Sequence, residues 1–142
     1  LSPHYNTLSK LNCILASIEA NKLGYDEGIM NDMNGNISTC NSTNLFFIKN
    51  DRVLTSTGQY CLNGITRAKA ISLCNQNNIA CSETNFTFED IANCNEAFVT
   101  GTFAGIIPVS QLEGKKLEST NSDSLVNKIR ALYNQEIQNY IG

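Results

Sequence analysis

Residues 93–102 decide the fold, and they read Asn93-Cys94-Asn95-Glu96-Ala97-Phe98-Val99-Thr100-Gly101-Thr102. Their central apolar run predicts a strand over residues 96–100. The strand leads into a glycine that has a threonine on each side. Such a loop leaves backbone N–H groups and hydroxyls open to a phosphate or a carboxylate. The stretch therefore predicts a core strand and one wall of an anion site.

Two other loops carry small residues and hydroxyl groups. One is Gly64-Ile65-Thr66-Arg67, at the start of a predicted helix, where free backbone N–H groups and the Thr66 hydroxyl would attract an anion. The other is the polar run Thr39-Cys40-Asn41-Ser42-Thr43-Asn44, just before an apolar strand. Each loop alone has a structural explanation as a turn, a helix cap or a bulge. Their order and spacing together favour an anion site.

The remaining sequence alternates short strands with helices. Predicted strands lie at residues 27–31, 36–40, 44–49, 52–55, 79–85, 106–112 and 115–117. Predicted helices lie at residues 10–23, after Ser9 as candidate N-cap, and at residues 66–76, 87–93 and 122–140. Asn34-Gly35 predicts a hairpin turn, and Gly24 predicts the end of the first helix. This pattern predicts one α+β (mixed α/β) domain, a mixed sheet with flanking helices.

Composition narrows the class of protein. The chain has 142 residues, 42% of them hydrophobic and 16% charged, with a net charge of −3. It has no basic run that would suggest nucleic-acid binding. It also lacks an apolar run near the roughly 20 residues that a membrane-spanning helix needs. The first four residues, Leu1-Ser2-Pro3-His4, are not a signal peptide and contain no initiator Met, as expected of a fragment or a processed chain.

The six cysteines are scattered along the chain, without a Cys-x-x-Cys pair, and there is one histidine. That pattern makes a zinc site improbable, and no metal is expected. A chain of this length folds on its apolar core without disulfides. We therefore expect reduced, mostly buried thiols and a cytoplasmic protein.

The ordered motifs resemble the C-terminal domain of class-IV pyridoxal-phosphate enzymes, which include branched-chain and D-amino acid aminotransferases and aminodeoxychorismate lyases. The resemblance covers residues 5–117. It rests on the first helix, the Asn34-Gly35 hairpin, the Asn44-Leu45-Phe46 strand, Gly64-Ile65-Thr66-Arg67, residues 93–102 and the closing Glu113-Gly114-Lys115 turn. It implies that residues 9–142 form this domain and that residues 1–8 lead into it from an N-terminal domain absent from this chain.

The resemblance also implies roles for individual residues. The cofactor pyridoxal 5′-phosphate would bind through its phosphate to Ile65, Thr66, Gly101 and Thr102, with Leu62 against its ring. Phe103 and Ala104 would lie near the substrate carboxylate. The implied reaction moves an amino group between an amino acid and a 2-oxo acid, and the implied assembly is a homodimer.

Two family residues are replaced in this chain. In ungapped register, Asn6 stands where the family has the lysine that bonds to the cofactor and moves protons at the substrate carbon. Thr39 stands where the family has the carboxylate that keeps the pyridine nitrogen protonated. Lys10 is the nearby candidate substitute for the lysine, or a solvated residue at the start of the helix.

Three functional interpretations follow from these residues. The chain is part of an active aminotransferase or lyase that uses Lys10, or a lysine supplied elsewhere. Alternatively, it is a degenerate homologue that keeps the phosphate site without transamination. A purely structural domain is the third interpretation, and it leaves the phosphate loops unexplained.

Overall fold

A computed structural model describes residue 8 and residues 10–141 of the chain, with the backbone alone for residue 141. The described helices are α1 (Leu11–Lys22), α2 (Ile65–Gln76), α3 (Phe88–Ala92) and α4 (Leu125–Ile141). The described strands are β1 (Ile29–Asn31), β2 (Ile37–Cys40), β3 (Asn44–Lys49), β4 (Arg52–Thr55), β5 (Cys81–Glu83), β6 (Glu96–Gly101), β7 (Gly105–Pro108), β8 (Gln111–Leu112) and β9 (Lys115–Lys116).

The centre of the molecule is a five-stranded mixed sheet with the strand order β5-β4-β3-β6-β7. The pair β4–β5 is parallel and the other three pairs are antiparallel. Two small antiparallel hairpins, β1–β2 and β8–β9, lie outside this sheet. The predicted mixed sheet with flanking helices is confirmed.

One face of the sheet packs against α2 and α4. Phe46 of β3 and Phe98 of β6 are direct cross-strand partners on this face, and both are fully buried. Their rings stack in parallel with centroids 4.6 Å apart. Ala70 of α2 and Ile129 of α4 belong to the same apolar cluster. Because side chains alternate along a strand, β3 and β6 each supply this face with every second residue.

The opposite face is covered by α3 and by the β1–β2 hairpin. Phe47 and Val99 point to this side, next in sequence to Phe46 and Phe98. Ile91 of α3 and Ile37 of β2 pack against them. Both faces of β3 are therefore buried, which explains its nearly continuous apolar sequence.

Some strand boundaries differ from those predicted. The predicted strand 79–85 contracts to β5, and the predicted strand 106–112 divides into β7 and β8 around residues 109–110. The strand β7 ends at Pro108, although the next residue, Val109, still donates its N–H to Ala97 O of β6 at 2.9 Å. The predicted β3–β4 turn is present, with positive φ angles of 51° at Asn50 and 57° at Asp51.

The helix α1 keeps an apolar face in contact with solvent. Its predicted end is confirmed by Gly24, whose φ angle is +82°. Ser9, the predicted N-cap, lies outside the described residues, and Lys10 occupies the N-cap position without a capping side chain. Leu11, Ile14, Leu15 and Ile18 are between 45% and 65% exposed. This apolar stripe is available to pack against another surface.

Within residues 10–141, every helix is too short or too polar to span a bilayer.

Replacing Gly105 with alanine is expected to lower the free energy of unfolding by about 1–3 kcal/mol, because it overpacks the core. Gly105 has a φ angle of +66°, and a Cβ there would lie 2.7 Å from Cε1 of Tyr133. Urea denaturation measures the effect. Gly114→Ala is the matched control, because it has a φ angle of +83° and its nearest atom would be 3.9 Å away. Equal losses for the two variants would show that the Tyr133 contact is unimportant.

Candidate functional site

One cavity of about 520 Å³ opens beside the end of β6. Its walls come from four places in the chain: the start of α1, the tip of the β1–β2 hairpin with the β2–β3 connection, the loop before α2, and the end of β6. All three polar loops singled out in the sequence contribute to these walls. The fold thus brings together residues that are as many as 92 positions apart, from Lys10 to Thr102.

The N-terminus of α2 contributes unpaired backbone donors. The first backbone hydrogen bond of the helix runs from Ala68 N–H to Gly64 O at 3.0 Å. The amides of residues 65–67 precede it, so they have no acceptor within the helix. The Thr66 side chain is buried and lines the cavity beside them. This arrangement of amides and one hydroxyl suits an anion.

Gly64 allows the helix to begin close to Asn44. A Cβ on residue 64 would lie 2.7 Å from Oδ1 of Asn44, so a larger residue would displace one of the two segments. Asn44 is buried, and its Nδ2 donates to Leu62 O at 2.9 Å. The same Nδ2 lies 3.5 Å from Oγ1 of Thr39. Asn44, the first residue of β3, therefore ties the loop before α2 to β2.

The end of β6 supplies Gly101 and Thr102 to the cavity wall. A Cβ on residue 101 would meet only Cγ2 of Thr43, at 3.5 Å, which is ordinary van der Waals contact. Packing inside the free protein therefore does not require glycine at this position.

Thr39 lies in the cavity wall and is half-buried. Its hydroxyl donates to the carbonyl oxygen of Thr43 at 2.7 Å. That carbonyl also accepts a hydrogen bond from Cys40 N–H at 2.9 Å. The Thr39 hydroxyl can therefore rotate towards a ligand without leaving the carbonyl unpaired.

Lys10 lines the mouth of the cavity at the N-cap of α1. The sequence predicts that Lys10 is the first residue of the helix. In the structure the helix begins one residue later, so Lys10 lies before the first turn. Asn6, which the resemblance aligns with the family lysine, lies outside the described residues.

Three of the residues singled out by the resemblance do not contribute side chains to the cavity wall. Ile65 is 82% exposed and Phe103 is fully exposed. Ala104 is also exposed. Leu62 does line the cavity and is 42% exposed. Any contact of Ile65 with a ligand would therefore come from its backbone.

The structure adds Arg67 to the cavity wall, a residue to which the sequence pattern assigns no role. Arg67 is only 5% exposed. Its Nη2 donates to Ser56 O at 2.6 Å and to Oε1 of Glu83 at 2.5 Å. The signal available in the sequence was its place directly after Thr66, in the first turn of a helix expected to bind an anion.

Three thiols also line the cavity, those of Cys13, Cys40 and Cys61. Burial, followed by the negative charge of Glu27, raises the pKa of the Cys40 thiol to about 12. It is therefore protonated at neutral pH and is a poor nucleophile. Among the described residues, no group of three His, Cys, Asp or Glu side chains could hold a metal ion.

The chain matches known proteins along most of its length. The family model for amino-transferase class IV matches residues 1–112. The chain belongs to the class IV aminotransferases. It is 35% identical over 130 residues to branched-chain-amino-acid aminotransferase-like protein 2 of Arabidopsis thaliana, which covers 92% of this chain and 23% of that protein. It is 33% identical over 131 residues to a putative branched-chain-amino-acid aminotransferase of Methanocaldococcus jannaschii, covering 92% of this chain and 46% of that protein.

Solved class IV aminotransferase structures share the fold. A branched-chain aminotransferase from Thermoproteus uzoniensis with norvaline superposes with a TM-score of 0.81 and 31% identity, covering 89% of this chain and 42% of that chain. An aminotransferase from Brucella abortus bound to the cofactor PLP gives a TM-score of 0.82 and 27% identity, covering 88% and 44%. This class IV aminotransferase chain therefore spans less than half the length of each of these relatives.

Proposed function

We propose that the protein carrying this chain is a pyridoxal 5′-phosphate-dependent aminotransferase of the branched-chain type, which transfers an amino group between an amino acid and a 2-oxo acid. One observation carries this proposal. Six residues chosen from the sequence line a single cavity: Lys10, Thr39, Leu62, Thr66, Gly101 and Thr102.

The donor chemistry of the cavity fits the phosphate of this cofactor. The α2 amides and the Thr66 hydroxyl are neutral donors at a helix N-terminus, where the helix dipole favours negative charge, and Thr102 lines the same cavity. The glycine at position 101, which packing does not require, leaves room for a ligand to approach the backbone. Leu62 would lie against the ring, and the backbone near Phe103 and Ala104 would face the substrate carboxylate.

The fit is incomplete at the pyridine nitrogen, where Thr39 replaces a carboxylate. A neutral hydroxyl pairs with the nitrogen but does not hold a proton on it. When bound, the cofactor withdraws electrons from the substrate carbon, and an unprotonated ring does so less strongly. We therefore expect slower amino-group transfer than a carboxylate at residue 39 would support.

Lys10 would hold the covalent link to the cofactor and move a proton at the substrate carbon. Its place at the N-cap, before the first helical turn, leaves its side chain at the mouth of the cavity. Because Lys10 is exposed, packing restrains its side chain only slightly.

The proposal extends to partners and compartment. The exposed apolar stripe of α1 supports an N-terminal domain or the second subunit of a homodimer as neighbour. Six free cysteines, four of them buried, are in keeping with a reducing compartment, so we propose the cytoplasm.

Borohydride reduction tests the role of Lys10. The full-length protein, incubated with pyridoxal 5′-phosphate and reduced, should carry the reduced cofactor on Lys10 in peptide mass spectra. Lys10→Ala should lower the adduct to background and abolish amino-group transfer. Lys22→Ala, an exposed lysine at the other end of α1, is the control and should behave like the wild type. An adduct that persists on another residue in Lys10→Ala would contradict this assignment.

A degenerate homologue is the second candidate, because Asn6 and Thr39 replace both catalytic groups while the phosphate loops remain. Such a protein would be stabilised thermally by phosphate-bearing ligands, yet would give no reducible adduct and no half-reaction with any amino acid. The borohydride experiment therefore separates the two candidates.

A further inference from the structure

Three buried side-chain atoms in the described part of the chain have no hydrogen-bond partner: Thr43 Oγ1, Arg67 Nε and Thr100 Oγ1. All three residues line the same cavity. Buried polar groups are paired in the great majority of cases, so unpaired ones need a physical explanation. Their concentration in one cavity points to a ligand that pairs with them.

The three residues converge around Asn44. Thr43 precedes Asn44 in the chain, and Thr100 is its cross-strand partner in β6. On the other side, a Cβ on Gly64 would lie 2.7 Å from Oδ1 of Asn44 and 3.9 Å from Cβ of Arg67. All three residues therefore lie near Asn44, which is joined to the loop before α2 by its hydrogen bond to Leu62 O at 2.9 Å.

The charge of Arg67 is only partly compensated within the protein. Its side chain is 6% exposed and contacts Oε1 of Glu83 at 2.5 Å, but the Glu83 side chain is 46% exposed, so solvent screens part of the carboxylate charge. The guanidinium group keeps Nε–H unpaired beside the cavity. A buried cation with a spare donor favours a negatively charged ligand group.

We infer that Thr43, Arg67 and Thr100 form an inner set of donors that binds the phosphate of a phosphate-bearing ligand, and that Arg67 supplies the positive charge. The inference rests on the proposal that this cavity takes pyridoxal 5′-phosphate. It adds three residues to the Ile65, Thr66, Gly101 and Thr102 set that the family resemblance assigns. A phosphate dianion accepts several such bonds at once, and a cation among the donors offsets its desolvation.

Isosteric replacement of threonine by valine tests whether the two hydroxyl groups bind phosphate. Affinities of the full-length protein are measured for pyridoxal 5′-phosphate, for pyridoxal and for inorganic phosphate. Thr100→Val and Thr43→Val should each weaken binding of the two phosphate compounds about tenfold, the usual effect of one hydrogen bond to a charged group. Affinity for pyridoxal should not change. Because these hydroxyls are unpaired without ligand, thermal unfolding of the free protein should stay the same or shift upwards.

Thr55→Val is the matched control. Thr55 is also fully buried, but its hydroxyl donates to Leu45 O at 2.7 Å. Its loss should lower the midpoint of thermal unfolding and leave the ratio of pyridoxal 5′-phosphate to pyridoxal affinity unchanged.

Arg67 variants test the charge. Arg67→Met should weaken phosphate binding about 100-fold, and Arg67→Lys should restore part of it because it keeps the charge. If Arg67→Met does not fold, the affinities of Thr100→Val and Thr43→Val still test whether the inner set of donors binds phosphate. The inference is overturned if the wild type binds pyridoxal as tightly as pyridoxal 5′-phosphate, or if Thr100→Val and Thr43→Val leave their ratio unchanged. The proposed aminotransferase fails separately, if the wild type gives no reducible adduct.

Discussion

Asn6→Lys combined with Thr39→Glu, in a protein that already carries Lys10→Ala, should restore a borohydride-reducible adduct, now on residue 6. The Lys10→Ala parent should give none. The reason is the ungapped register proposed from the family resemblance, in which Asn6 and Thr39 stand at the positions of the lysine and of the pyridine-facing carboxylate. The cavity already presents Thr39 together with the loops proposed to bind phosphate, so on this proposal the Lys10→Ala protein lacks only the reactive amine and the proton-holding group.

The same experiment separates the two substitutions. Asn6→Lys with Thr39→Gln should also form the adduct, because glutamine preserves the size of glutamate but not its charge. Its half-reaction with an amino acid should be about 100-fold slower than that of the glutamate variant, a magnitude typical of one preorganised electrostatic interaction. Stopped-flow absorbance measures both rates.

A lysine placed elsewhere on the cavity wall controls for unspecific reaction. Asn12 also lines the cavity, so Asn12→Lys in the Lys10→Ala protein introduces an amine without using the register. Failure of residue 6 to form an adduct, or an equal adduct on residue 12, would disprove the register.

Phe98→Ala should lower the free energy of unfolding by about 3–5 kcal/mol, a large share of the roughly 5–15 kcal/mol typical of a domain. Phe98 is completely buried in the middle of the sheet, and its ring stacks on Phe46 with centroids 4.6 Å apart. Truncation leaves a cavity between β6 and the two helices that cover this face. Urea denaturation followed by circular dichroism measures the change.

Phe103→Ala provides the control for stability, because that ring is fully exposed. It should change the free energy of unfolding by less than about 0.5 kcal/mol. A double-mutant cycle with Phe46→Ala should give a coupling of about 0.5–1.5 kcal/mol for the stacked rings. A Phe98→Ala loss similar to that of Phe103→Ala would mean that the described core is incorrect.

Much of the fold was predictable because local signals were strong. The strands β3 and β4 were predicted with the bounds that the structure has, since an apolar run, a two-residue turn and a second run define a hairpin. The shortening of β5 was not predictable. Its length depends on how far β4 extends beside it, and that pairing joins residues some 28 positions apart, such as Val53 and Cys81.

Site residues were predictable where their role follows from the neighbouring sequence, and were not predictable where it depends on contacts with residues far away in the chain. Thr66 and Gly101 follow from the ends of predicted elements. Arg67 was missed because its importance comes from burial and from Glu83, 16 residues further on, which no local pattern reveals. Phe103 was expected near the substrate, but its side chain is outside the cavity wall, because side-chain direction in a loop is set by the folded backbone.

The unpaired hydroxyls of Thr43 and Thr100 also bear on the history of the chain. In a protein that no longer binds anything, drift towards an apolar residue at either position would meet little resistance, because the fold loses no hydrogen bond. Stability of the free protein therefore does not account for these two hydroxyl groups, whereas binding of a ligand in the cavity would.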